Sequence, residues 1–210
     1  MVLGDLGLEE VLLVVTESGN VCGYRVEAIF SALERAARNG VARPVHSSEV
    51  DPFFVEFVEE SAWGLAIHKY SRLIAVSANS GCITVFAFAL VDPDEKDLGP
   101  DRPLEMTNFT DNDKEWLHIH TRTKFLWLRG RMPDEHRKRN VKMTYTGHFE
   151  NIPCVSFFNS VQDPNGTWMF STDIKNRVII WKIWESLSPV KIFNFNDLAF
   201  GPSGTLPQRA

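Results

Sequence analysis

Six histidines, three cysteines and a scatter of serines and acidic residues are the side chains of this 210-residue chain that could do chemistry. A metal centre would draw on His118 and His120, one residue apart, together with His68, His136, His148, Cys22, Cys82 and Cys154. Zinc needs ligand pairs at spacings such as Cys-x-x-Cys or His-Glu-x-x-His. Neither spacing occurs, so no metal is expected. Acyl transfer by Ser-His-Asp would call for a serine on a Gly-x-Ser-x-Gly elbow, which is also missing. Ser77 and Ser171 fall in strand-like segments and Ser80 in a turn. Ser18-Gly19-Asn20 and Ser80-Gly81-Cys82 are small-residue turns, yet no Gly-x-x-x-x-Gly-Lys follows to cradle a phosphate. The expectation is a protein without catalytic residues, cofactor or small-molecule substrate.

One stretch is strongly basic. Arg129, Arg131, Arg137, Lys138, Arg139 and Lys142 stand against Asp134 and Glu135. Such a run can contact phosphates, serve as a nuclear-localisation signal or simply be a solvated loop. No aromatic residue interleaves it, which weakens a stacking platform for single strands. The formal net charge of −5 argues against a surface given over to nucleic acid.

The elements that would position these residues are strands, and they repeat. Thr167 to Trp181 reads as a hairpin, an apolar strand over Trp168-Thr172, a polar turn over Asp173-Arg177 and a second strand over Val178-Trp181. Aligned on the last aromatic residue, a pattern recurs as Ser18-Gly19-Asn20-Val21-Cys22-Gly23-Tyr24, Ser80-Gly81-Cys82-Ile83-Thr84-Val85-Phe86 and Lys175-Asn176-Arg177-Val178-Ile179-Ile180-Trp181. Each copy follows an apolar strand, Val11-Thr16, Arg72-Ser77 and Thr167-Thr172. A strand pair of this kind cannot bury both faces alone, so the repeats must stack.

The period changes once, over Val26-Asn39, where Val26, Ile29, Phe30, Leu33 and Ala37 recur at helical spacing and Gly40 offers a cap. Strand pattern returns over Phe53-Val58. Trp63-His68, Arg72-Ser77 and Ile83-Ala89 then form a tight meander. Residues 92–140 read as a long loop insertion in which Trp116-Leu128 has strand-like content, and Val141-Thr146 as the delayed outer strand. The organisation expected is an N-terminal tail over 1–10, a repeat segment over 11–185 and an irregular tail over 186–210 that frays from Gly201 to Ala210. The odd cysteine count predicts reduced, buried thiols, and no apolar run approaches the ~20 residues of a membrane helix. Met1 to Glu10 carries three acidic residues and no Lys or Arg, unlike the cationic start of a targeting peptide.

Gly147-His148 followed by three strands ending in Trp181 resembles a WD-repeat blade, in which His, a turn Asp, a strand hydroxyl and the Trp indole satisfy one another's hydrogen bonds. Carried over, His148, Ser171 and Trp181 match. Lys175 occupies the aligned turn position for Asp, Lys182 the closing Asp, and the other repeats end in Tyr24 and Phe86. The strings SAWGLAIHKYSRLIAVSANSG (Ser61 to Gly81), GHFENIPCVSFFN (Gly147 to Asn159) and DPNGTWMFSTDIKNRVIIWKIW (Asp163 to Trp184) are similar to the fungal WD-repeat family named for a constitutive regulator of ribonucleotide reductase transcription. The resemblance implies an all-β propeller fragment of about three degenerate blades, with a short helix and a long loop insertion. It further implies a non-enzymatic nuclear scaffold, present also in the cytoplasm, that affects ribonucleotide reductase expression. Its implied partners are transcription machinery or a cullin-ligase linker. The tetrapeptide that some ligase adaptors present, Trp-Asp-x-Arg, corresponds to Trp181-Lys182-Ile183-Trp184 and lacks both Asp and Arg. Propellers bind through their rims, which makes 92–140 and the turn at Lys175 contact candidates. Direct nucleic-acid binding through 129–142 is the alternative. Rings need ~4–8 blades. Three repeats therefore imply a fragment of a longer chain, or blades supplied by a partner.

Overall fold

The three aligned turns fold alike, and their backbone explains their composition. In Thr16–Gly19, Ala78–Gly81 and Asp173–Asn176 the last N–H donates to the first carbonyl at 3.0, 3.3 and 3.2 Å. The last residue is left-handed each time, with φ of 85° at Gly19, 73° at Gly81 and 60° at Asn176. Glycine takes this conformation freely and asparagine at small cost, which is why the repeat carries Gly, Gly and Asn there.

The computed structural model describes residues 1–40, 44–90, 116–129, 137 and 139–195. Their strands form three sheets. The first sheet, called a blade after the repeat that it resembles, runs in order β1 (Val2–Leu6), β2 (Glu9–Val15), β3 (Asn20–Arg25) and β4 (Phe54–Phe57), antiparallel throughout. The second is β5 (Ala62–His68), β6 (Leu73–Ala78), β7 (Cys82–Ala87) and then β9 (Val141–Thr146), with β8 (Leu117–Ile119) added parallel on the outside. The third is β10 (Cys154–Phe157), β11 (Trp168–Thr172), β12 (Arg177–Lys182) and β13 (Lys191–Asn194). Outer strands are clasped identically. Val58 N donates to Gly19 O, and Phe195 N to Asn176 O, both at 3.0 Å.

Several expectations are corrected here. Residues 1–10 are no tail: Val2-Leu3-Gly4-Asp5-Leu6 alternates in burial and pairs with Leu13 through Glu9 as the first strand of its blade. Residues 186–210 are not wholly irregular either, because Lys191–Asn194 closes the third blade. Within 116–129 only Leu117–Ile119 is a strand. Arg122–Arg129 is a helix, α2, that buries Phe125 and Leu128 one turn apart, with Thr121 O accepting from Phe125 N at 2.9 Å. Its aromatic content suggested a strand, but the 3.6 period decides. The first helix, α1, spans Val26–Arg38. It buries Ala32 and leaves Phe30 and Leu33 exposed, so the expected apolar face is turned partly to solvent. Cys154 is exposed, while Cys22 and Cys82 are half-buried thiols without a disulfide. Most of the 92–140 insertion, and Gly201 to Ala210, lie outside the described residues.

Side-chain alternation turns each sheet into two faces. On the second blade Ile74, Val76, Ala78 and Phe86 enter a core shared with Leu6, Val11, Leu13 and Val21 of the first. Leu73, Ala75, Ile83, Val85 and Ala87 enter another, shared with Val155, Met169, Ile179 and Trp181 of the third. Every residue of β6 is buried. Each fully buried aliphatic side chain contributes about 1.5–3 kcal/mol, so these two cores outweigh any single polar contact between blades.

Polar ties fix the stacking register. Ser77 Oγ donates to Ile152 O at 2.6 Å and accepts from Gly64 N at 3.0 Å. The turn of the second blade lies on the loop of the third: a Cβ at Gly81 would sit 2.8 Å from His148 O. Gly81→Ala therefore combines a left-handed alanine with a backbone clash, and is expected to lose about 2–3 kcal/mol in urea unfolding. Gly40→Ala, also left-handed at φ +64° but with nothing within 4 Å, is the control and should lose only about 1 kcal/mol. Equal losses would show that the contact with His148 contributes nothing.

Candidate functional site

One histidine, one serine and one aspartate converge at one place, on the face of the third blade that meets the second. β11 alternates so that Met169 and Ser171 point inward, β12 does the same with Ile179 and Trp181, and Gly147 brings the incoming loop against them. A Cβ at Gly147 would lie 2.8 Å from Trp181 Cη2 and 2.6 Å from Pro189 Cγ, so only glycine admits this approach. His148 is thereby delivered into the blade.

There it completes a chain of four side chains. Trp181 Nε1 donates to Ser171 Oγ at 2.8 Å. Ser171 Oγ lies 2.7 Å from His148 Nε2, and His148 Nδ1 lies 2.8 Å from Asp173 Oδ2. One proton arrangement satisfies every atom: Nδ1–H donates to the carboxylate, the serine hydroxyl donates to Nε2, and the indole N–H fills the remaining place on Oγ. Asp173 also accepts from the amides of Lys175 and Arg177, at 2.9 and 3.1 Å, and from Arg177 Nε at 2.8 Å.

Asp173 is the residue that sequence alignment missed. Spacing to the final aromatic residue puts Lys175 at the turn-acid position, whereas the acid sits two residues earlier, at the first position of the turn. The signal was present as Asp173 three residues before the left-handed Asn176, an arrangement in which an aspartate accepts from its own turn amides. Lys175 itself is exposed at the turn. The corresponding residues of the other blades are Val14, Thr16 and Tyr24, and Val76, Ala78 and Phe86. Their positions hold no such network. Phe86 instead packs edge-on against Phe54 at 5.0 Å and Trp116 at 5.2 Å between centroids.

Ser171, His148 and Asp173 stand in the order of a hydrolytic triad, and what the arrangement can do depends on access. Ser171 is 1% exposed and Trp181 is fully buried. The indole already donates to Oγ, so both a substrate path and a free nucleophile orientation are closed off. The geometry is that of a lock between turn, strand and loop.

Burial disfavours the imidazolium of His148 and outweighs the attraction of Asp173, leaving its pKa below the ordinary 6.5. Burial pulls the Asp173 carboxyl up, but the bonds from His148, Arg177 and the turn amides together hold it below the usual value of 3.8. His68, fully buried with Nδ1 accepting from Ser71 N at 3.1 Å, is lowered by burial in the same way.

The basic run does not assemble into a patch among the described residues. Arg137, expected as a surface contact, is 1% exposed: Nε donates to Phe88 O at 2.7 Å, Nη2 to Ser71 O at 2.6 Å, and the guanidinium stacks on Trp184 at 5.2 Å. Its fork joins two backbone segments of the second blade, a use a planar guanidinium suits better than lysine. Lys142 pairs with Glu56 at 3.0 Å and donates to Phe57 O at 3.1 Å, tying the first two blades. Arg129 and Arg139 are exposed, and Arg131 and Lys138 lie outside the described residues. His118 and His120 are exposed on and beside β8, and no group of three or more His, Cys, Asp or Glu among the described residues is arranged to hold a metal ion. Among those residues no helix is long and apolar enough to cross a membrane.

Comparison with known proteins gives one family. The model of the CRT10 family matches residues 4–194, from the first strand of the first blade to the last strand of the third. Among curated proteins none matches. A chain in a crystal structure of the mitotic checkpoint complex is similar at 14% identity and a TM-score of 0.43, over 87% of this chain and 33% of its own length. The chain thus spans about a third of that neighbour.

The lock has two measurable consequences. Ser171→Ala strands the buried indole N–H and imidazole, with an expected loss of about 1–3 kcal/mol in urea unfolding, whereas an exposed serine replaced likewise should lose under about 0.5 kcal/mol. Because His148 and His68 have folded pKa values below the unfolded ones, the unfolded chain binds more protons below pH 6.5, and stability falls as pH drops through that value. A further loss follows below 3.8 as Asp173 is protonated. His148→Gln should flatten the first slope and leave the share of His68. A slope unchanged in the variant would mean that His148 does not titrate with folding.

Proposed function

Because this chain belongs to the CRT10 family, we propose that it is a non-enzymatic nuclear scaffold of the WD-repeat type, acting on the transcription of ribonucleotide reductase genes. The family match across all three blades carries the reading. The use of Ser171, His148 and Asp173 in mutual bonds supports it, since those side chains serve the fold. Binding would be by shape and apolar contact at a rim, with no bond made or broken.

The rim that carries the three repeat turns is the better candidate. Phe149 is 85% exposed and Ile174 53%, beside the exposed Lys175, while Trp63 is 51% exposed where the second blade begins. Exposed aromatic and aliphatic side chains on a rigid frame suit a protein partner. Transcription machinery and a cullin-ligase linker are the partner classes proposed. A linker would have to engage this rim, since Trp181 and Ile183 of the Trp-Lys-Ile-Trp segment are fully buried. Nucleic-acid binding through 129–142 is less favoured, because Arg137 and Lys142 are committed internally.

In cells carrying the gene, removal of the chain is expected to change ribonucleotide reductase transcript levels, and the wild-type chain to restore them. A Phe149→Asp, Ile174→Asp double variant should fold with an unchanged urea midpoint and fail to restore. Transcript levels indifferent to removal would sink the proposal, while full restoration by the double variant would move the contact surface elsewhere.

A further inference from the structure

Eleven prolines punctuate the chain, and Pro189 alone among them follows a hydroxyl-bearing residue. Ser188-Pro189-Val190-Lys191 sets a serine before a proline, with a lysine three residues beyond the serine. A kinase cleft with a slot for the proline ring and carboxylates opposite the third position reads such a pattern by shape and charge. The same four residues also arise by chance in loops, so their folded surroundings decide.

The segment is a strap from β12 to β13, pinned on both sides of the serine. Before it, Leu187 packs against the core shared by the second and third blades, and its carbonyl accepts from Thr146 N, at the end of β9, at 3.4 Å. After it, the half-buried Pro189 rests on Gly147, where an added Cβ would meet its Cγ at 2.6 Å, and Val190 N donates to Ile180 O at 2.9 Å. Between these anchors Ser188 is exposed. Its amide donates to Ser186 Oγ at 2.9 Å. Lys191 is exposed as well, its ammonium 5.7 Å from the centroid of the Phe193 ring. The backbone suits a cleft. Residues 186–190 belong to no helix or strand, the Ser188-Pro189 peptide is trans, and a residue before proline is biased towards the extended form in which a substrate lies along a kinase. All four residues of β13 are exposed, and β12 is its one strand neighbour among the described residues. The strand can therefore swing out and release the proline ring while the sheet within stays paired.

We propose that Ser188 is a phosphorylation site for a proline-directed serine/threonine kinase that selects a basic residue three positions on. Ser188 Oγ attacks the γ-phosphorus of ATP. The Oγ–P bond forms as the bond from that phosphorus to the β,γ-bridging oxygen breaks, ADP leaves, and the hydroxyl proton passes to the aspartate base of the kinase. The product adds about −2 charge and three strong acceptor oxygens to a strap that touches both the second and the third blade. The inference rests on the strap alone and is independent of the transcriptional reading.

The test is incubation of the folded 210-residue chain with a cyclin-dependent kinase and labelled ATP, with the modified residue located by fragmentation in a mass spectrometer. The wild type is expected to take up one phosphate per chain, at Ser188. Ser188→Ala should abolish this uptake and Lys191→Ala should lose most of its rate, while Lys191→Arg keeps it. Ser188 and Lys191 are exposed, so these variants should retain the circular dichroism of the wild type. Pro189→Ala should also abolish labelling, with Lys191→Ala as the check that leaves the packing on Gly147 intact. A folded wild type that takes up no phosphate, or takes it up only in urea, overturns the proposal. Labelling that persists in Ser188→Ala, or a Lys191→Ala rate equal to that of the wild type, overturns it equally.

Discussion

A four-stranded antiparallel sheet that is apolar on both faces exists only in contact with other sheets, and this constraint governs the protein. The second blade meets it completely: Leu73 through Ala78 alternate between two cores, and no residue of that strand faces water. The outer blades meet it on one face only. Stacking is then fixed in register by few polar atoms, notably Ser77 Oγ between Gly64 N and Ile152 O, and Lys142 reaching Glu56. The apolar cores supply the free energy and these bonds supply the alignment.

The same position in successive blades is filled by two different physical solutions. Trp181 is large and carries one donor, so its burial demands an acceptor, and Ser171, His148 and Asp173 follow from that demand in turn. Phe86 carries no donor and is content with Phe54, Phe88 and Trp116. An all-apolar cluster tolerates change better, whereas a closed polar chain fixes one arrangement and loses several bonds together when one member is removed. Loss of the pattern in the second repeat is thus a change of chemistry at constant shape.

Much of the stack was legible in the sequence because the turns dictate it. Gly19, Gly81 and Asn176 announced left-handed positions, and the strands around them alternate with period two. Asp173 is not legible from spacing to the aromatic residue, because what selects it is the turn's need for an acid at its first position. The strand at Val2–Leu6 was hidden by Asp5, whose exposed side chain pairs with Lys69 at 2.8 Å and so costs the sheet nothing. By charge alone Arg137 is a surface residue, yet it is buried. Its burial depends on carbonyls at Ser71 and Phe88 that only the folded chain brings within reach. The aromatic content of α2 favours a strand, although the spacing of Phe125 and Leu128 is helical.

The late return of β9 has a consequence for how the chain is made. β7 ends at Ala87 and its partner begins at Val141, so about fifty residues must leave the ribosome before the edge of the second blade is closed. At synthesis rates of ~5–20 residues per second, the edge of β7 that takes β9 stays open for ~3–10 s, far longer than hairpin formation takes. During that interval the first blade and β5 to β7 can already be assembled with one apolar edge open. The nascent chain is therefore most vulnerable to capture by other strands midway through synthesis, and the protein's yield in a cell should depend on how quickly translation crosses that interval.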